Sequence, residues 1–282
     1  MSAPAREKAL VPISAKGVKQ RRDRGRTWSL LRTVVPVLAA LVVAIGLWLA
    51  VSYLLLNPSR RFLVPPPQEV LTDSFLDWDH LGPMLDALGL TAKVALLGLA
   101  IASALGVLTA IAMSQAGWVE RAVYPYAVVL QTVPILAIVP LIGLWFDYGF
   151  TSRVIVCVII ALFPMIANTL FGLHSASPGE HDLFTLNKAS RRQRLTKLQL
   201  PAAMPSIFTG LRTSSGLSVI GAIVGNFFFK QGEPGIGTLL DVYRARLQSD
   251  DLFAAIILAS LFGIAVFAVF TVLGKVVVGK RS

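Results

Sequence analysis

The chain has 282 residues, 55% of them hydrophobic and 15% charged, with a mean hydropathy of +0.70 and a formal net charge of +11. The apolar excess excludes an ordinary soluble domain, and the positive charge does not form a nucleic-acid face, because lysines and arginines gather at the ends of apolar runs, where they set membrane topology. One cysteine, Cys157, excludes a disulfide framework and a thiolate metal cluster.

Residues 1–32 carry nine cations and no apolar periodicity, which predicts a basic cytosolic tail that stays attached to a membrane domain over 33–282. The first apolar run, 34–56, is long enough to cross about 30 Å of hydrocarbon, and Pro36 falls in its first turn. The segment 57–90 follows outside, where Pro65, Pro66 and Pro67 predict a stiff extended strut over 63–70. Further spans at 91–113, 123–145, 154–173, 207–229 and 252–278 bring the number to six. Runs this long, with no alternating pattern, predict an all-α membrane protein, a six-helix bundle. Pro134 predicts a kink in the third span.

Between the fourth and fifth spans lies a polar, basic loop, 175–206. Ser177, Pro178 and Glu180 read as a serine cap, a proline at the first helical position and a glutamate three residues after the cap. Ser190 and Gln193 repeat the device, and the second helix is expected to run through Leu195 and Leu198 until Pro201 breaks it. Between the two helices Asn187 is the residue best suited to a left-handed turn. Six crossings from a cytosolic N-terminus place 114–122, this loop and the C-terminus on the cytosolic side, together with 19 of the 26 lysines and arginines.

The run Ala189-Ser190-Arg191-Arg192-Gln193 followed by Leu200-Pro201-Ala202-Ala203 resembles the cytoplasmic "EAA" loop of permease subunits of bacterial ABC importers, in the nitrate/sulfonate/taurine-type subgroup. The resemblance extends from about Val64 onward. It implies the type I ABC importer fold, a bacterial cell (inner) membrane location with both termini cytosolic, and pairing with a second permease copy as a homodimer in the lipid bilayer. It also implies a pair of separate ABC ATPase subunits, which hold ATP and Mg, and an extracytoplasmic solute-binding protein. That protein would deliver a small solute: a sulfonate, a nitrate-like anion, or a pyrimidine or flavin precursor. By the same resemblance the ATPase-coupling loop comprises Asp182, Leu183, Phe184, Asn187, Lys188, Ala189, Ser190, Gln193 and Pro201. Two departures stand out. The family's turn glycine falls on Lys188, or on Asn187 with one insertion, and its Glu-Ala-Ala falls on Asp182-Leu183-Phe184, whose bulk implies a partner groove adapted to this subunit.

No Gly-x-x-x-x-Gly-Lys-Ser/Thr sequence occurs, so the chain is expected to bind no cofactor and to be non-catalytic. Gly235 and Gly237 read as a turn before a short outer helix over 238–247. Small-residue stripes at Gly98, Ala102 and Gly106 and at Gly221 and Gly225 read as close helix packing, with a dimer seam as the alternative for the second. Gln131, Asn168, Ser215, Ser218 and Asn226 are the candidates for lining a translocation pathway, against helix-to-helix hydrogen bonding as the competing reading. Their neutrality favours a neutral heterocycle or zwitterion over a bare anion. Asp147, Tyr148, Lys230, Glu233 and Asp241 form a mixed-charge outer rim. His80, His174 and His181 have no metal spacing and read as surface residues. The alternative function, a stand-alone ion-coupled secondary transporter, calls for inverted repeats and midspan acids that the sequence lacks. An intramembrane enzyme calls for a catalytic cluster that is equally missing.

Overall fold

The computed structural model describes residues 34–279, as two units divided after Pro67; the basic tail read at 1–32 lies outside the described residues. In the first unit, helix α1 is described over Val34–Leu55 and ends in a widened π-turn, Val51–Leu55. A 3-10 turn, Pro58–Leu63, follows. Trp48 Nε1 donates to Pro65 O at 2.9 Å, and the Arg61 guanidinium lies 4.7 Å above the Tyr53 ring. The chain therefore folds back on the end of α1, and the expected strut shrinks to 64–66. Pro67 instead opens a helical stretch, where its missing N–H has no partner to lose.

The second unit is built from α2 (Trp78–Gln115), α3 (Gly117–Thr132), α4 (Ile135–Phe146), α5 (Phe150–Leu173), α6 (Pro178–Leu186), α7 (Arg191–Phe228), α8 (Ile236–Arg246) and α9 (Ser249–Val278). Among the described residues five helices are long and apolar enough to cross a membrane, and the pair α3 and α4 makes a sixth span if its two arms count as one. The fold is thus an all-helical membrane bundle, with three departures from the expected elements.

First, α2 begins at Trp78, not at 91, because the Asp77 side chain accepts from Asp79 N at 3.0 Å and caps it there. Second, the kink expected at Pro134 is a complete break, with the two arms at 100°. Proline drives the preceding residue out of the helical region, and Val133 is extended at φ −66°, ψ 129°. Third, Pro201 does not end its helix. The turn Leu195–Gln199 is a π-turn, and Leu200 N bonds back to Leu195 O. That wider turn relieves the clash between a proline ring and the carbonyl four residues earlier, so α7 continues through it. At 1.5 Å per residue α7 is a rod of about 57 Å.

Helix α5 lies between α2 and α7, and small residues set the distance. A Cβ added at Gly98 would fall 2.3 Å from Cys157 Cβ; at Gly221, 2.8 Å from Cys157 Cα; at Gly106, 2.7 Å from Met165 Cβ. Cys157 is therefore gripped between the stripes of α2 and α7, within a core of Val94, Ala95, Val154, Val219, Ala222 and Val266. Lipid gives apolar faces little reason to leave it, so close backbone packing of this kind is what holds spans together. The Gly221 and Gly225 stripe faces Cys157 and Arg153 on α5 of the same chain, which makes it a packing surface.

Candidate functional site

The polar interval between α5 and α7 is held by short-range bonds. Ser177 Oγ accepts from Glu180 N at 3.3 Å while Glu180 Oε2 accepts from Ser177 N at 2.8 Å. Ser190 Oγ accepts from Gln193 N at 3.3 Å while Gln193 Oε1 accepts from Ser190 N at 2.8 Å. Both are complete capping boxes, satisfying amides that a helix start leaves without partners. The Ser177 backbone N–H, and then its hydroxyl, hold the Glu180 carboxyl below the ordinary carboxylate range.

The turn between the boxes is a Schellman motif: Ala189 N bonds to Phe184 O at 2.9 Å and Lys188 N to Thr185 O at 3.0 Å. The left-handed residue is Lys188, at φ 49°, and Asn187 keeps φ −81°. The expectation for Asn187 is thus off by one position, because Asn187 is the helix C-cap, and the left-handed position is the residue after the cap. Asn187 Nδ2 donates instead to Leu183 O at 2.8 Å. Arg194 Nη2 donates to Thr185 Oγ1 at 3.0 Å and ties the two helices together.

This scaffold displays apolar side chains to water. Leu183 is 58% exposed and Leu186 79% exposed, and Asp182 is exposed, while Phe184 is half-buried. Leu186 escaped the sequence reading, although its three-residue spacing from Leu183 puts both on one face of α6. At the base of the scaffold Gln115 Nε2 donates to Gln199 Oε1 at 3.0 Å and joins the end of α2 to α7.

The far end of α7 carries a second polar cluster. Asn226 is fully buried and its Nδ2 donates to Thr91 Oγ1 at 2.8 Å; the same hydroxyl accepts from Ile236 N at 2.9 Å. Thr238 Oγ1 donates to Asn226 O at 2.6 Å. The glycine pair makes this approach possible: a Cβ at Gly235 would fall 2.2 Å from Asn226 Nδ2, and one at Gly237 2.1 Å from Ile223 O. The outer helix begins at Ile236, two residues before the expected start. Beside it Arg153, 1% exposed, donates from Nε to Phe229 O at 3.0 Å, from Nη1 to Glu233 O at 2.9 Å and from Nη2 to Gln231 O at 3.0 Å. The C-cap carbonyl of α7, Phe229 O, and two carbonyls of the loop after it thus hold the cation in place of a carboxylate. On the rim, Asp241 accepts from both Lys230 and Arg244, and these two cations, Lys230 first, hold its carboxyl low.

The five pathway candidates are not gathered at one place. Gln131 is exposed at the end of α3, and Asn168 is half-buried, with Nδ2 donating to Pro164 O at 2.8 Å. Ser215 and Ser218 are buried and donate to Arg212 O and Ser215 O within their own helix. Asn226 belongs to the cluster just described. Thr91, Arg153 and Thr238, which lie at or beside this cluster, gave no local signal except that Arg153 is a cation at the edge of an apolar run. His80 Nδ1 lies 2.9 Å from Asp251 Oδ1, which also accepts from Ser74 Oγ at 2.9 Å, so this histidine is paired and not merely on the surface. Among the described residues no group of three or more His, Cys, Asp or Glu could hold a metal ion.

Membrane-length helices interrupted by a doubly capped hydrophilic scaffold define a multi-pass membrane protein. Residues 102–280 match the family described as binding-protein-dependent transport system inner membrane component, and the chain belongs to that family. It is a permease of the ABC importer kind, in the nitrate/sulfonate/taurine group. It is similar to the formylaminopyrimidine transport permease protein ThiX of Halalkalibacterium halodurans, at 34% identity over 79% of this chain and 88% of that one. It is also similar to the taurine transport system permease protein TauC of Escherichia coli, at 28% identity over 90% of each. A crystal structure of an amino acid ABC transporter with histidines superposes with a TM-score of 0.57 at 16% identity, covering 72% of this chain and 95% of that one, and shares the fold.

Proposed function

We propose that two copies of this chain form the membrane pathway of an importer, and that a separate pair of ABC ATPase subunits, carrying ATP and Mg, docks on the 175–206 loops. The observation that carries this reading is the exposure of Leu183 and Leu186, 58% and 79%, on a water-side helix whose ends are both locked by local bonds. Apolar surface presented on so rigid a mount is suited to a groove on another protein. The sequence has no phosphate-binding glycine loop of its own, so the energy comes from that partner.

Orientation follows from charge: with the loop in the cytosol, 19 of the 26 lysines and arginines lie on the cytosolic side, and both termini with them. A solute-binding protein then docks on the opposite face. Closure of the ATPase pair draws the two loops together, and α7 carries that displacement as a rigid rod to the cluster of Asn226, Thr91 and Ile236. The continuity of α7 through Pro201 supports this role, since a broken helix would absorb the movement. For the solute, a neutral heterocycle of the formylaminopyrimidine kind is favoured over a sulfonate. The candidates for lining the pathway, Gln131, Asn168, Ser215, Ser218 and Asn226, are neutral, and identity to the formylaminopyrimidine permease, 34%, exceeds that to the taurine permease, 28%.

Reconstitution in liposomes with the ABC ATPase and solute-binding protein of the same importer tests the proposal. Leu183→Asp and Phe184→Asp should abolish stimulated ATP hydrolysis and uptake while the bundle remains folded. Unchanged uptake in both variants, or uptake by the chain alone, overturns it. A binding protein that takes taurine but no pyrimidine overturns the solute assignment only.

A further inference from the structure

We propose that the cleft between the loop-side ends of α7 and α9 is a binding site for an anionic phospholipid, with the headgroup on Arg212 and Lys275 and an acyl chain along the adjoining apolar groove.

The cleft has a volume of about 500 Å³ and is lined by Thr209, Arg212, Thr271 and Lys275 between Phe208 and Phe270. Arg212 also lines the neighbouring groove, of about 740 Å³, whose walls include Gly216, Ile220, Ile223, Ile264 and Phe267. One cation thus stands where a polar cleft passes into an apolar one. Its Cζ lies 5.4 Å from the Phe267 ring centroid, and its Nε is buried without a hydrogen-bond partner. Among the described residues the carboxylates found in ion pairs are Asp251, Glu120 and Asp241, and none of them faces Arg212 or Lys275.

Two cations at a membrane edge, with no ion-pair partner among the described residues, call for an anion from elsewhere. The planar guanidinium matches a phosphate with two parallel bonds, and the lysine adds a point charge. Thr209 Oγ1 donates to Pro205 O at 3.0 Å and Thr271 Oγ1 to Phe267 O at 2.8 Å. With their protons engaged, both hydroxyls offer the cleft only lone pairs, which suit a headgroup that itself carries hydroxyls, as phosphatidylglycerol does. A free inorganic anion would satisfy the cations but leave the apolar groove unexplained; Ile220 and Ile264, 53% and 64% exposed, suit an acyl chain. Because Arg212 sits on the same rod as the 175–206 loop, a lipid held here touches the element that moves, and the lipid composition of that leaflet would tune transport.

The test uses the purified full-length chain and native mass spectrometry, with phosphatidylglycerol and phosphatidylcholine of identical chains as probes. This readout needs neither ATPase nor solute, so its failure is separate from that of the proposed function. Phosphatidylglycerol should be retained in preference, and Arg212→Gln and Lys275→Gln should each weaken that preference about 5-fold, with Arg212→Lys restoring most of it. Ile220→Trp, which fills the groove and leaves both cations in place, should also lower retention and stands in if the charge variants fail to fold. Equal retention of the two lipids, a preference that survives the charge variants or Ile220→Trp, or displacement by millimolar sodium phosphate as effective as by lipid overturns the proposal. So does efficient disulfide cross-linking of two copies through Ile220→Cys, which would put a second protomer in the groove.

Discussion

Arg153→Met removes the cation that fastens the outer loop while keeping most of the side-chain volume. Arg153 makes three bonds, of 3.0, 2.9 and 3.0 Å, to the carbonyls of Phe229, Glu233 and Gln231. Hydrogen bonds to a charged group contribute about 1.5–3 kcal/mol each. Two effects offset part of that sum: the variant no longer desolvates a guanidinium, and Gln231 and Glu233, which are exposed, can turn their carbonyls to water. A net local loss of about 3 kcal/mol remains. Cys157 provides the readout, since it is the chain's one thiol, fully buried and one turn along α5 from Arg153. At about 1.4 kcal/mol per decade, the rate of its labelling by a maleimide in detergent should rise about 150-fold. Arg153→Lys keeps the charge, but a single ammonium cannot span the three carbonyls, so its rate should fall between wild type and Arg153→Met. Labelling of Arg153→Met within about 3-fold of wild type would refute the reasoning, because it would mean that the three bonds do not hold α5 to the end of α7.

Gly237→Ala places a Cβ 2.1 Å from Ile223 O and 2.9 Å from Phe227 N, both backbone atoms, so α8 must lift from α7. A cost of about 1–3 kcal/mol is expected, seen as faster amide exchange over Ile236–Arg246 and lost uptake, with α2 and α5 still protected. Ser177→Ala and Ser190→Ala should each destabilise their helix by about 1 kcal/mol and speed limited proteolysis of the loop; Lys188→Gly, which relieves a left-handed lysine, should slow it. Glu180 has a depressed folded-state pKa, so its contribution to capping is complete above the unfolded value, about 4.3, and is lost as pH falls through the folded one. Amide protection over 177–181, corrected for intrinsic exchange, should therefore fade below that pH in wild type and show no such dependence in Glu180→Gln.

The parts of this protein legible in sequence depend on neighbours within a few residues. Each capping box joins residues three apart, so Ser177 with Glu180 and Ser190 with Gln193 could be read directly, and both are formed as read. Span positions follow from the local burden of apolar atoms, and the resemblance to ABC permeases rests on a loop motif of the same short range. The errors arose where two local rules compete. At Pro201 the helix-breaking rule lost to a π-turn, and at Asn187 composition favoured asparagine while cap geometry put the left-handed position on Lys188.

Tertiary structure alone decided which way each face turns. A helix rotated by half a turn keeps its composition but exchanges its neighbours, so the Gly221 stripe could mark a seam or a packing surface until Cys157 was seen against it. Which groups Ser218 and Asn226 bond to could not be read from their own segment; the fold gives them Ser215 O and Thr91 Oγ1. The partners of Arg153 are carbonyls that every residue possesses, which no reading of side chains can single out. Sequence determines what each segment can bury and how it ends; the rotation of helices about their axes, fixed by where Gly98, Gly106 and Gly221 let backbones meet, determines what each polar residue touches.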